Sequence, residues 1–259
     1  MLSGNASDSM AHMYNRNVVR SIGFFNDRTR EAIRHFSKGN FDEIYRLKET
    51  LRGSVVKRYL FKYAAQSINY VECHDDMTLY DFMKKDNDKM TEDEIKDRCL
   101  LATSMNILSL GMPFIHAGQE FFGTKGGNSN SYNTTDKMNM VDWGRMNENK
   151  KYVDFIKKVI KIRKTYNEFK YNTETDISNN VVVSSLEDKS ALLYELKGKN
   201  NLLMIFKNSK DESSFDLSGY DVLLSNLEVD NNTIKGIGVM ILKEKKNDLW
   251  FLCQSSSNK

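Results

Sequence analysis

The chain has 259 residues, of which 40% are hydrophobic and 28% charged, an ordinary balance for a globular protein and enough length for one large domain or a medium one plus a small one. Thirty-eight basic against 35 acidic residues leave a net charge of +3, too even for a nucleic-acid or anionic-membrane surface. Cys73, Cys99 and Cys253 are odd in number and lack CxxC spacing, which argues against a disulfide framework and a structural zinc site. The opening "MLSGNASDSM" has neither a basic start nor an apolar core, so no signal peptide is expected. No apolar run approaches the roughly 20 residues of a membrane span. A cytoplasmic location is the expectation, one that an upstream part would change.

In chain order, residues 1–20 are polar and read as a loop or short helix. "RSIGFF" (20–25) is a strand candidate, and "DRTREAIRHF" after it has helical spacing at Ala32, Ile33 and Phe36. Two amphipathic pieces follow, "FDEIYRLKETL" and "VVKRYLFKYAA", and then the strand "SINYVE". "TEDEIKDRCLLATSMNILSL" (91–110) predicts a helix with Thr91 as N-cap and Glu94 completing a capping box. "GMPFIHAG" (111–118) predicts a buried strand, and "KKYVDFIKKVIKIRKTYNEF" (150–169) a helix with one apolar and one solvated basic face. Strand and helix therefore alternate up to about residue 170, the pattern of a parallel sheet. Beyond about residue 175, short runs such as "VVVSSL", "ALLYEL", "LLMIF", "SSFDL", "GVMIL" and "LWFLC" predict an antiparallel β-sandwich. The boundary is expected near "YNTETDISNN", dividing the chain into residues 1–172 and 173–259.

Two of the strands run straight into polar clusters. "SINYVE" ends at Glu72 and continues Cys73-His74-Asp75-Asp76, and "MPFI" continues His116 and "AGQEFFGTKGGNSNSYN". Parallel α/β folds collect function at such strand ends. Gly126 and Gly127 free the backbone, while Asn128, Asn130 and Asn133 offer donors and acceptors together. That mixture suits a ligand rich in hydroxyls, a sugar. Other readings compete. A His-Asp pair at a strand end is as often a structural hydrogen bond. A metal site from Glu72, His74, Asp75 and Asp76 is disfavoured because neighbouring strand residues face opposite ways. "GTKGGNSN" lacks the spacing of a phosphate loop. No "GxSxG" of an α/β-hydrolase elbow is present.

"INYVECHDDMTLYDFM", then "GMPFIHAGQEFFGTKGGNSNSYN", then "VDW" at 141–143, with "IGFFNDRTREAI" before them, resemble the type I pullulanases, debranching enzymes of the α-amylase superfamily. The resemblance covers about residues 10–170, with the β-rich tail standing where that family carries a C-terminal sandwich. It implies the C-terminal portion of a (β/α)8 TIM barrel, about its last three βα units, followed by an antiparallel β-sandwich. It also implies retaining hydrolysis of α-1,6-glucosidic links in pullulan and branched α-glucans, by a nucleophile, an acid/base and a third carboxylate. The third carboxylate falls on Asp75. His74, Asp76, Asn133 and Asp136 fall on substrate-binding positions, although the family usually has asparagine where Asp76 stands, and a carboxyl beside Asp75 is expected to raise one of the two pKa values. No cofactor or metal is implied, and calcium is left open.

The family's "GFRFD"-like nucleophile motif and "GEGW"-like acid/base motif do not occur in these 259 residues. Two readings stay open. In one the chain is part of an enzyme, inactive alone and partnered by a separate N-terminal half of the barrel, with an α-glucan as substrate. In the other it is a non-catalytic glucan-binding or structural remnant.

Overall fold

The computed structural model describes residues 15–245 except 17, 57–59, 88 and 188. Three short strands, β1 (Phe24–Phe25), β2 (Ser67–Asn69) and β3 (Met112–Pro113), lie side by side in that order, all parallel. Parallel neighbours need long crossovers. α1 (Asp27–Ser37) and α2 (Ile44–Thr50) lie between the first two strands, and α3 (Leu79–Lys84) and α4 (Glu92–Leu108) between the second pair. So few ladder bonds are supplemented by side chains. Asn26 Nδ2 donates to Ser54 Oγ at 3.0 Å and Ser67 Oγ at 2.8 Å, Ser67 donates to Asn69 at 2.6 Å, and Asn69 donates to the Leu110 carbonyl at 2.7 Å. Every one of these side chains is buried, where an unpaired amide or hydroxyl would cost about 1–3 kcal/mol.

The opposite side of the sheet is partly exposed among the described residues. Phe25, Ile68 and Met112 stand in register across the three strands, and Phe25 and Met112 are 39% and 42% exposed.

Beyond β3 come the short α5 (Asp136–Asn139) and α6 (Trp143–Glu148), then α7 (Lys150–Thr165), which buries Tyr152, Val153, Ile156 and Val159. Arg163 leaves the solvated basic face expected of α7. It donates to the carbonyls of Ile107, Ser109 and Gly111 at 2.6 Å each, closing the chain between α4 and β3. α8 (Glu174–Asn180) precedes β4 (Val181–Ser185), β5 (Ala191–Leu196), β6 (Leu202–Lys207), β7 (Ser213–Ser214), β8 (Tyr220–Ser225), β9 (Glu228–Asp230), β10 (Thr233–Lys235) and β11 (Gly238–Glu244). These form two antiparallel sheets, ordered β4-β5-β6-β11-β8 and β7-β10-β9.

The five-stranded sheet is covered on both faces, as its period-2 pattern requires. Leu192, Tyr194, Met204, Phe206 and Ile241 join one core with the helices of the parallel portion, among them Ala102 and Met105 of α4. Ala191, Leu203, Ile205, Met240 and Leu242 form a second core with Leu227 and Ile234 of the smaller sheet and its connections. α4 is buried nearly all round along its second half, because it lies between the parallel portion and the five-stranded sheet.

Several expectations change. The parallel strands hold two or three residues each, and "YVE" and "FIHAG" leave the ladder before the polar clusters are reached. "VVKRYLFKYAA" contains only one helical turn among its described residues, Ala64–Gln66. The capping box is half made: the Glu94 amide donates to Thr91 Oγ1 at 3.2 Å, but the Glu94 carboxylate pairs with Arg98 at 2.9 Å and with Lys210. "YNTETDISNN" is not a plain linker; it carries α8, N-capped by Thr173. "LWFLC" and Cys253 lie outside the described residues. No helix among the described residues is long and apolar enough to cross a membrane.

Candidate functional site

Residues 70–78 leave β2 as an irregular turn, with Tyr70 to Cys73 buried and His74 to Asp76 exposed. The turn is held from beneath by Arg34, which is 1% exposed. Arg34 Nε donates to the Val71 carbonyl at 2.5 Å, Nη2 to the Met77 carbonyl at 2.9 Å and Nη1 to Asp76 Oδ2 at 3.0 Å. One planar guanidinium thus fixes three points of the turn, a use of its rigid fork that a lysine could not match. Asp76 adopts φ 64°, left-handed backbone that aspartate tolerates better than most residues. Burial pushes the Asp76 carboxyl up, but the Met77 amide and the Arg34 guanidinium outweigh it and hold it below the usual carboxylate range. For Asp76 the direction is opposite to the rise expected of a carboxyl crowded by another, because its side chain turns to Arg34.

Asp75 Oδ1 lies 3.0 Å from His74 Nδ1, with both side chains about 60% exposed (62% and 59%). Adjacent residues meet here because the turn breaks the strand alternation. Glu72 does the reverse. It is 2% exposed; its Oε2 accepts the Leu79 amide at 2.6 Å and its Oε1 lies 2.8 Å from His116 Nδ1. The buried carboxylate therefore joins the turn after β2, the start of α3 and the segment after β3.

The second strip follows His116. Asp81 of α3 accepts Thr124 Oγ1 at 2.5 Å and the Lys125 amide at 2.8 Å, fastening this loop to the first. Gly126 and Gly127 follow at φ 61° and 78°, where a side chain would be strained. Ser131–Asn133 form one tight turn and Asp136 opens α5. Asn139 ties the two together, accepting from Ser131 Oγ at 2.8 Å and donating to the Ser131 carbonyl at 2.9 Å. Asn133 and Asp136 are exposed on this knot, beside Tyr132, which is 77% exposed. No hydrogen bond or ion pair joins them to His74 or Asp75 among the described residues.

Further supports carry no sequence motif. Arg145 of α6 donates to the Phe122 carbonyl at 2.6 Å and lies 4.5 Å from the Tyr80 ring centroid, and Tyr80 donates to Glu92 at 2.7 Å. Tyr70 donates to Asp27 and accepts from Arg30 at 3.1 Å; burial, then the Asp27 contact, pushes its phenol well up. The one available signal was parity, since Ile68, Tyr70 and Glu72 alternate along the sequence and would share a face in a strand. Among the described residues no group of three or more His, Cys, Asp or Glu is placed to hold a metal ion.

The site is thus formed by two solvent-facing loops beyond the carboxyl ends of parallel strands, rich in carboxylates, amides and aromatics. Comparison with known proteins supplies the particular type. Pullulanase from Bacillus subtilis (strain 168) is 31% identical over 263 residues, covering 91% of this chain and 37% of its own length. Among solved structures, pullulanase from Anoxybacillus sp. LM18-11 complexed with maltotriose superposes with a TM-score of 0.83 at 31% identity, over 90% of this chain and 36% of that one. Type I pullulanase from Bacillus subtilis complexed with maltose gives 0.82 at 30% identity, over 91% and 37%. No family model matches the chain. The chain is of pullulanase type and corresponds to a C-terminal part, spanning little more than a third of the length of these relatives.

Proposed function

We propose that the chain contributes one wall of an α-glucan cleft and the transition-state-stabilising carboxylate, Asp75, to a retaining hydrolase of α-1,6-glucosidic links. In this reading β1, β2 and β3 are consecutive strands of a (β/α)8 barrel within residues 1–172, and residues 173–259 are the β-sandwich that follows. His74 meets the reacting sugar through its ring, and Asp76 serves the subsite by holding the turn on Arg34. Asn133 and Asp136 hold the glucan farther along. The reading rests above all on the exposed His74–Asp75 pair, presented by a turn that Arg34 fixes at three points. A carboxylate preset in this way stabilises positive charge developing at the anomeric carbon without reorganising.

Retaining hydrolysis also needs two carboxylates about 5–5.5 Å apart across the scissile bond. By motif neither lies in these residues, so a second segment supplies them. The probe is the preceding part of the Bacillus subtilis pullulanase, co-expressed with this chain. Pullulan cleavage by the mixture is expected to fall by at least about 10²–10³-fold with Asp75→Asn, and less with His74→Ala, which removes contacts rather than charge. Unchanged cleavage with Asp75→Asn contradicts the assignment. The absence of the two motifs favours one other reading, a glucan-binding remnant. It predicts maltotriose binding by the chain and no cleavage by any mixture.

A further inference from the structure

His116 and Glu72 are left unused by that account. Glu72 is a buried carboxylate with both oxygens engaged, one by the Leu79 amide at 2.6 Å and the other by His116 Nδ1 at 2.8 Å. Capping the start of α3 needs only one of them; the second would be an orphaned buried acceptor without His116. With Glu72 Oε1 as the acceptor of this contact, Nδ1 carries the donated proton, and a ring with that one proton presents Nε2 as a bare acceptor. His116 is partly exposed, and its Nε2 has no hydrogen-bond partner among the described residues. Its backbone is fixed as well: the His116 amide donates to Gln119 Oε1 at 3.3 Å, and Gln119, buried, donates to Thr103 Oγ1 at 3.0 Å. His74, by contrast, is paired among the described residues with an exposed aspartate, Asp75.

From this geometry we propose that His116 is a sugar-binding residue whose Nε2 accepts a hydrogen bond from a glucan hydroxyl, with Glu72 the positioning residue that fixes its tautomer. The inference rests on the glucan reading above and adds to it a directional contact from the segment after β3. A carbohydrate offers many hydroxyl donors, and an oriented neutral acceptor discriminates among them by position, which a rotating or protonated imidazole cannot do.

The test is long-range ¹H–¹⁵N spectroscopy of the imidazoles in the full chain at about pH 8.5, well above the ordinary imidazole range near 6.5, with the His116 signal assigned by its loss in His116→Gln. The expected wild-type signature is a protonated Nδ1 and a bare Nε2, with Nε2 shifting on addition of maltotriose. Glu72→Leu is expected to redistribute the tautomers and weaken maltotriose binding by about three- to tenfold, the weight of one neutral hydrogen bond. A protonated Nε2 in the wild type overturns the proposal without recourse to any variant. A maltotriose response at His74 but not at His116 overturns it while leaving the glucan reading intact. No maltotriose response at either His74 or His116 overturns both. An unaltered His116 tautomer in folded Glu72→Leu overturns the positioning role.

Discussion

The parallel and the antiparallel portions solve the same problem in different ways. The five-stranded sheet pairs strands of five to seven residues along their whole length and buries both faces. The three parallel strands pair over two residues at each junction; among the described residues β1 and β3 have no further strand partner, and Phe25 and Met112 of the row are 39% and 42% exposed. Their order comes instead from the helices behind them, from the Asn26–Ser67–Asn69 network and from Arg34 and Arg163. Open edges and an uncovered apolar row are exposed to unwanted association. The portion carrying the candidate chemistry is thus the less extensively paired of the two among the described residues, which fits the proposal that another segment completes it.

The largest stability effect that sharpens this contrast is in the antiparallel core. Phe206→Ala, at a fully buried position, is expected to cost about 3–5 kcal/mol in urea unfolding. Met112→Ala in the open row should stay within about 0.5 kcal/mol. Equal costs would mean that the two faces are equally covered and would end the comparison.

Next in size is the polar network that substitutes for a ladder. Asn69→Ala removes the donor to the Leu110 carbonyl and the acceptor for Ser67. A loss of about 2 kcal/mol is expected from the groups left unpaired, with β2 amides exchanging faster while those of β5 and β6 do not. A change confined to β5 and β6 would show that the network does not hold the parallel strands.

The smallest effect concerns α4, which links the two portions. Burial pushes the Asp97 carboxyl up to about 6; Lys151 opposes the shift and Asp93 and Glu94 add to it. The unfolded value is near 3.9, so between about pH 4 and 6 the native state binds more protons than the unfolded chain, and this group favours folding as the pH falls. Asp97→Asn should abolish a gain of about 1 kcal/mol, allowing for partial solvent screening, when unfolding is compared at about pH 7 and pH 4.5. An identical pH dependence in both proteins would contradict the burial argument.

The helices were legible because their apolar residues recur at helical spacing: α1 from Ala32, Ile33 and Phe36, α7 from Val153, Ile156 and Val159. The antiparallel strands were legible from alternation between turns. The ends of the parallel strands were not, because apolar content continues through Val71 and Ile115 although the ladder has already stopped; burial by helices and burial by pairing look alike in sequence. At the site, the cluster 72–76 was visible but its division was not. Glu72 buried on His116, Asp76 held by Arg34 and Asp75 left outward are decided by partners 40 or so residues away along the chain. Arg163 reads as part of a solvated basic face and Arg34 carries no signal at all, since nothing local marks a guanidinium that will thread back to distant carbonyls.

The central claim is that the parallel portion is one part of a catalytic cleft and is completed by another segment. The most direct measurement is the release of reducing ends from pullulan by the purified 259-residue chain, alone and mixed with the preceding part of the Bacillus subtilis pullulanase. The account predicts no release by either part alone and release by the mixture. Release by this chain alone, at the rate of the mixture, would contradict it.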